Sequence, residues 1–433
     1  MKGYRGLFPP VLVVLLLLSM YVASDNNKKK EAEYEGYLKA ARECVAYGII
    51  VDAEVHYQEA LDMRPSAELY VEVMNMYIGV EDYYAAQEVG EDILDKYNED
   101  VKVHETLATA YMLDGDYDDF LELHARCKDN NIKSSLIDKY FDDIQYNIEY
   151  AGAFLEVGCY SGGRCPAKTE FGWGYVTNKG KKKIDYIYDY AGEFGSGIAP
   201  VKTKDGEWYF VDTEGNKKKV LNKIDNVQAI GNVASDIIPV FDGSTWSFYD
   251  MEQNLLCGGY DDASSMGNGL AAVKNGELWS IINSSGEKIT EQLYTDVIMD
   301  DKNVVFRGCY FAQVDGLYYM FNDKGEKITE QGFKNARVFN DTGSYAAVQI
   351  SHKWGFIDIN GNIVIEAKYD DARSFSKDLA AVKVDEKWGY IDLNNELVIE
   401  NTYQDAKDFN EGGNAMVLVG DRWQLIKLLK YNY

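Results

Sequence analysis

Four histidines, six cysteines and 71 acidic side chains are the groups in this 433-residue chain that could serve as proton shuttles, nucleophiles or metal ligands. Histidine is the usual acid–base group near neutral pH, so its scarcity weighs against catalysis. His56, His104 and His124 lie in the first third of the chain and His352 just before Trp354. None has a Cys or acidic partner at the spacing of a metal site or a catalytic triad. Cys159 and Cys165 are close enough to bridge across a Gly-rich turn in an exported protein, or to stand as separate small residues. With no CxxC pair and no nearby His, zinc is not expected. The run Asp114, Asp116, Asp118, Asp119 superficially resembles a calcium loop, but no Glu stands at the twelfth position. It reads as a turn followed by an exposed helix start, where acids suit the helix dipole. HExxH, GxSxG, Gly-rich phosphate loops and dinucleotide fingerprints are all missing. Carboxylates this numerous single out no glycosidase pair. No catalytic residue, metal ligand or cofactor is therefore expected, and an unrecognised hydrolase ranks last among the readings.

The elements that position these groups follow from composition and pattern. A chain of this length exceeds one ordinary hydrophobic core, so at least two domains are expected. A formal net charge of −27 argues against nucleic acid, whose phosphates need a basic stripe. It also disfavours adsorption of the soluble part to anionic lipid. Residues 31–145 hold 28 acids against 9 bases, a solvated face that also suits a basic partner.

At the N-terminus, Lys2 and Arg5 precede an apolar run from Leu7 to Ala23, followed by Ser24, Asp25 and Lys28–Lys30. Its length fits a signal peptide or a short anchor, so residues 1–30 form a targeting segment. Val22-Ala23-Ser24 offers a cleavage site. No Cys follows the run, which excludes a bacterial lipoprotein anchor. The basic start favours the N-terminus inside and the bulk outside; an uncleaved single-pass anchor in the cell membrane is expected, and secretion after cleavage is the alternative.

Residues 31–145 carry helix-forming composition and a pattern recurring every 33 to 34 residues. Tyr37, Ala40, Ala41 and Cys44 lead to Ala53, Tyr57, Ala60 and Pro65. Tyr70, Met74 and Tyr77 lead to Ala86 and Ile93, and Leu107, Ala108 and Tyr111 lead to Gly115, Tyr117 and Phe120. Small residues at these offsets let antiparallel helices approach closely. The segment resembles degenerate tetratricopeptide (TPR) repeats, with Gly115 in an interhelical turn and a closing helix near Ser134–Ile144. Gly90 departs from that family, which places a large side chain there. The resemblance implies a short concave solenoid that binds a peptide or protein; a plain helical spacer is the alternative.

All seven tryptophans fall in residues 146–433: Trp173, Trp208, Trp246, Trp279, Trp354, Trp388 and Trp423. With Tyr318 in the vacant place, the spacings are 35, 38, 33, 39, 36, 34 and 35 residues. Gly174, Gly355 and Gly389 follow their Trp, whereas Tyr209, Ser247, Ser280 and Tyr319 replace that Gly. Seven residues beyond each of the first seven anchors stands Gly180, Gly215, Gln253, Gly286, Gly325, Gly361 or Asn395, a position suited to a positive-φ turn. An apolar strand comes next, then an aromatic-Asp-x-Ala-x-x-Phe element, as in Tyr369 to Phe375 and Tyr403 to Phe409. A strand such as Leu379–Val382 then returns to the next Trp through a tight Asp385-Glu386 turn. One unit is thus expected to be three short antiparallel strands and one loop. Tyr150–Phe154 mirrors Tyr190–Phe194, so the array opens with a half-unit, and Arg422–Ile426 closes it with the complement.

These units resemble the WG-repeat (KWG) family, most closely in KWGFIDINGNIVIEAKYDDA and KWGYIDLNNELVIENTYQDA. The expected fold class is multidomain, α plus all-β: a helical-hairpin solenoid, then a WG β-repeat array of about eight units. That array forms either a propeller-like ring, whose two half-units would share a blade, or an open β-solenoid. Trp and the residue two positions on share one face, Gly and its apolar partner the other, which implies burial between units and a structural role for the eight anchors. The Asp of the Trp-Gly-x-Ile-Asp segments, Asp358 and Asp392, and that of the Tyr-Asp-Asp-Ala loop read as turn chemistry. The resemblance implies an interaction module, so the expected function is a non-catalytic protein–protein scaffold at the bacterial cell envelope. The alternative is a cell-wall or carbohydrate-binding module that uses exposed aromatics. The membrane is met through the N-terminal segment only.

Overall fold

The structure, a computed structural model, describes residues 10–221, 223–410 and 412–428. The chain divides into two compact units, one ending at Gln145 and the other starting at Tyr146. The first is helical: α1 Pro10–Ala46, α2 Ile50–Met63, α3 Ala67–Gly79, α4 Tyr83–Leu94, α5 Val101–Asp114, α6 Tyr117–Asp129 and α7 Ser135–Ile144. Ser66, Asp82, Asp100 and Ser134 cap α3, α4, α5 and α7 by accepting backbone N–H groups with their side chains. Gly115 ends α5 at φ 81°, a left-handed cap that a side chain would strain. Ala53, Ala60, Ala86 and Ala108 are fully buried, which lets the helices approach closely. Gly90 serves the same end: a Cβ there would lie 2.8 Å from both Leu107 and Met74, so α4 sits close on α3 and α5. The apolar run Leu7–Ala23 lies outside the residues described with their side chains. Among the described residues no helix is long and apolar enough to cross a membrane.

From Tyr146 onward the described chain forms antiparallel strands. Each of the eight anchors stands on the second strand of a hairpin, as in Leu379–Val384 with Lys387–Asp392. Asp385 and Glu386 both take positive φ in that hairpin's turn. The residue seven beyond each anchor from Gly180 to Asn395 also has positive φ. The Asp or Asn four places after an anchor closes the following turn: Asp358 Oδ1 accepts the N–H groups of Asn360 and Asn362 at 2.9 and 2.8 Å.

Two sequence expectations need correction. The aromatic-Asp-x-Ala element is not a plain loop, because its Asp-Ala pair forms a fourth, two-residue strand. Asp371 and Ala372 pair with Lys383 and Val382, and Asp405 and Ala406 with Leu418 and Val417. Two residues are too few for a period-2 signal. The opening half-unit is also displaced from its expected match. Phe154 stands opposite Trp423 as Tyr188 stands opposite Trp173, so Phe154–Tyr160, not Tyr150–Phe154, is the counterpart of Tyr188–Phe194. A bulge between Ala151 and Phe154, with Gly152 at φ 70°, breaks the simple likeness.

With that register, strand Ile148–Phe154 pairs with Arg422–Leu428 and supplies the fourth strand of the last unit. Aromatic pairs such as Phe356–Phe375 and Tyr390–Phe409, with centroids 4.9 and 4.8 Å apart, fill the space between sheets. Apolar clusters join each unit to the next along the chain. A further cluster, with Phe154, Cys165 and Val176 against Met416 and Leu425, joins the last unit to the first.

The Gly beside Trp has a steric cause. A Cβ on Gly174 or Gly355 would lie 2.5 Å from the carbonyl oxygen of Ile184 or Ile365, because the next strand bulges over that position. In two of the units that depart from Trp-Gly, those of Trp246 and Tyr318, a glycine stands on the facing strand instead. Ser247 pairs with Gly258, and Gly332 leaves room for Leu317 and Tyr319.

Candidate functional site

Trp279, Tyr318, Trp354 and Trp388 are buried, while Trp173, Trp208, Trp246 and Trp423 are half-buried. A cation lies over most of these rings, Lys202 at 5.5 Å from Trp208 and Arg337 at 5.1 Å from Trp354, for example. Trp173, Trp208 and Trp246 border one cavity of about 680 Å³, and the other anchors do not reach it. A second cavity, of about 380 Å³, is walled by Asp300, Arg307, Asp341, Lys407 and Asp408. Gly158 and Asp301 line both.

Asp301 belongs to the extra length between Trp279 and Tyr318. Asp300 folds that segment: its Oδ1 accepts from Lys302 N and Val304 N, and its Oδ2 from Arg307 Nε and Nη2. Asn232 Nδ2 donates to Lys302 O, and Ser265 N to Asn303 O, which ties the loop to the Trp246 and Trp279 units. Asp301 Oδ2 then accepts from Arg373 Nη1 at 3.0 Å and Lys407 Nζ at 2.7 Å. Burial opposes its charge, yet these two cations hold the Asp301 carboxyl well below the usual carboxylate range. Nearby, burial pushes the Asp408 and Glu193 carboxyls up. Asp408 Oδ1 is buried without a partner. Asp301 and the surrounding charges lay outside the sequence reading. Their signals were the 39-residue spacing and the cation after Ala in Arg337, Arg373 and Lys407.

Packing and local hydrogen bonds occupy most of the titratable and nucleophilic side chains, whereas His56 Nδ1 and His104 Nε2 are buried without a partner. His124 stacks on Phe141 at 4.2 Å, and burial lowers its pKa. His104 Nδ1 lies 2.8 Å from Asp100 O, and His352 is exposed. All six cysteines are free thiols, and burial pushes Cys159 and Cys165 up, away from the reactive thiolate. Asp114 accepts from Gln87 Nε2, and Asp118 and Asp119 stand in the first turn of α6. Among the described residues, no three His, Cys, Asp or Glu side chains converge as a metal site.

None of the curated proteins matches the sequence. Among solved structures, BamB from Moraxella catarrhalis aligns with TM-score 0.44 at 12% identity, over 65% of this chain and 98% of that one. A eukaryotic initiation factor aligns at 0.42 and 12%, over 65% and 85% of the two chains. Hsv2 of Kluyvelomyces marxianus aligns at 0.38 and 10%, over 64% and 99%. The family model of the WG containing repeat matches residues 173–208, 258–279, 354–388 and 388–423, three of them running from one anchor to the next. Periodic anchors, recurrent hairpins and this match agree, and the chain carries WG-containing repeats.

Proposed function

We propose that this chain is a non-catalytic interaction scaffold, whose β-rich unit is a closed, propeller-like ring of eight WG units. The observation that carries the reading is the pairing of Ile148–Phe154 with Arg422–Leu428. It supports a ring in which the first and last strands share a sheet, the usual way for such arrays to protect sheet edges. The cluster of Phe154 and Val176 with Met416 and Leu425 supports the same closure. A rigid ring of this kind presents its variable loops to a partner, while the repeated aromatic and turn residues build the frame. The helical unit is a TPR-like solenoid in this reading, supported by its buried alanines and by the Gly115 turn. Its acidic surface suits a basic peptide or protein. In this reading the apolar N-terminal run anchors the chain in the cell membrane, with the bulk of the chain on the extracytoplasmic side.

The experiment is affinity recovery from chemically cross-linked cells, comparing the full chain with its N-terminal segment alone. A protein captured by the full chain, and lost when exposed loops are replaced by Gly-Ser, supports the scaffold. Equal recovery with the N-terminal segment alone, or none at all, contradicts it.

A further inference from the structure

The eight units are not equivalent around the Trp side chains. In the Trp354, Trp388 and Trp423 units the residue after the short inner strand is a cation, Arg337, Arg373 or Lys407. Each reaches over the Trp of its own unit, at 5.1, 5.9 and 5.9 Å. In the Trp173, Trp208 and Trp246 units the same place is Gly158, Gly192 or Gly231. The equivalence rests on backbone bonds: Gly158, Gly192 and Gly231 donate to the carbonyls of Pro166, Pro200 and Pro239, as Arg337 and Arg373 donate to those of Ala347 and Ala381. A Cβ on Gly192 or Gly231 would lie 2.8 or 2.7 Å from Cγ of the facing Pro200 or Pro239. Glycine and proline are therefore a matched pair, and no side chain enters there unless the facing strand changes too.

The space that Arg337, Arg373 and Lys407 fill in three of the eight units receives no side chain from this position in the Trp173, Trp208 and Trp246 units. It is the cavity of about 680 Å³ against Trp173, Trp208 and Trp246, within the roughly 300–1,000 Å³ typical of small-molecule sites. Its wall mixes aromatic faces with polar groups of both kinds. Asp189, Glu193 and Asp301 supply carboxylates, and Asn232 an amide. Lys202 supplies an ammonium, and the Trp208 indole Nε1 is buried without a partner. Asp301 is already paired with Arg373 and Lys407, so two carboxylates, Asp189 and Glu193, stand against one ammonium and disfavour an anion. A simple cation would leave the indole N–H without an acceptor. A neutral polyol satisfies both, since its hydroxyls donate to carboxylates and accept from indole while its C–H faces lie on aromatic rings.

We propose that this cavity binds a neutral sugar of one or two rings. The inference goes beyond the scaffold reading and uses this cavity, not the exposed loops.

The test titrates the whole protein with cellobiose, maltose and N,N′-diacetylchitobiose, followed by Trp emission and by calorimetry. At least one is expected to give a saturable change in both. The Gly231→Arg/Pro239→Ala variant installs the arrangement that Arg373 and Ala381 have. It is expected to raise Kd by at least about tenfold, the cost of a blocked contact. Trp208→Phe keeps an aromatic ring but removes the unpartnered N–H, and is expected to weaken binding by roughly tenfold. It serves as the readout if the double variant does not fold by circular dichroism. No saturable response to any of the three sugars overturns the proposal, as does an unchanged Kd in either folded variant. Such failure leaves the loop-based scaffold intact, because partner recovery from cells does not depend on this cavity.

Discussion

Substituting Gly355 with Ser tests why Trp is followed by Gly. A Cβ at this position would lie 2.5 Å from Ile365 O and 2.7 Å from Ala367 N. Both atoms are backbone, so relief requires one strand to move and not a side chain to turn. Overpacking of this kind costs about 1–3 kcal/mol. Lost glycine freedom in the unfolded chain offsets roughly 0.5–1 kcal/mol of that. The net expectation for Gly355→Ser is a loss of about 1–2 kcal/mol. The Trp246 unit indicates the remedy, since Ser247 stands opposite Gly258, two residues before Tyr260. Ala367 holds the corresponding place before Tyr369. Adding Ala367→Gly should recover about 1 kcal/mol, as coupling between residues in contact. Urea unfolding followed by circular dichroism and Trp emission gives both values. A single variant within roughly 0.5 kcal/mol of the parent would refute the steric account. Strictly additive losses would refute the exchange of glycine between strands.

Two further predictions concern charge. Asp301 has a folded pKa below its unfolded value of about 3.9, so its stabilisation is present above that pH and is lost as pH falls through the folded value. Removing one partner of a buried pair costs about 3–5 kcal/mol. Side-chain exposures of 40%, 17% and 21% for Asp301, Arg373 and Lys407 reduce the expected cost of Asp301→Asn to about 2 kcal/mol at neutral pH. Thermal unfolding across pH should show that gap narrowing below about pH 4, and equal stability at neutral pH would contradict the pairing. His124 behaves oppositely: burial lowers its folded pKa, so the unfolded chain takes the proton first. Its stabilising effect is full above about pH 6.5 and declines as pH falls below that value. In His124→Phe, helix unfolding should lose this part of its pH dependence; an unchanged pH slope would show that His124 is not its source.

The parts of the fold written in repeated, local chemistry were legible in the sequence. Gly361 and Asn395 mark positive-φ turns because only a few residue types tolerate them, and Asp358 marks a turn because its side chain closes it. Trp-Gly was legible as a recurring pair, although the backbone atom that comes near its Gly was not. Asp371-Ala372 was missed as a strand because two residues carry no periodicity. The Tyr150–Phe154 likeness was misplaced because the bulge at Gly152 shifts the register without altering local composition. That shift also concealed the site. Once Phe154 is aligned with Tyr188, Gly158, Gly192 and Gly231 fall into one column with Arg337, Arg373 and Lys407. The meeting of Asp301 with Arg373 and Lys407 spans 72 and 106 residues, a distance over which no local pattern reaches.

Closure of the array by its own first strand is the central claim, and a cross-link tests it most directly. The register places Glu149 opposite Lys427, and facing residues on antiparallel strands stand about 4.5–5.5 Å apart, within reach of a disulfide. Glu149→Cys with Lys427→Cys, oxidised and digested, should yield the linked pair of peptides at any protein dilution and raise the unfolding midpoint. An open solenoid keeps these ends apart, so absence of the intramolecular 149–427 link under oxidation would contradict the closed ring.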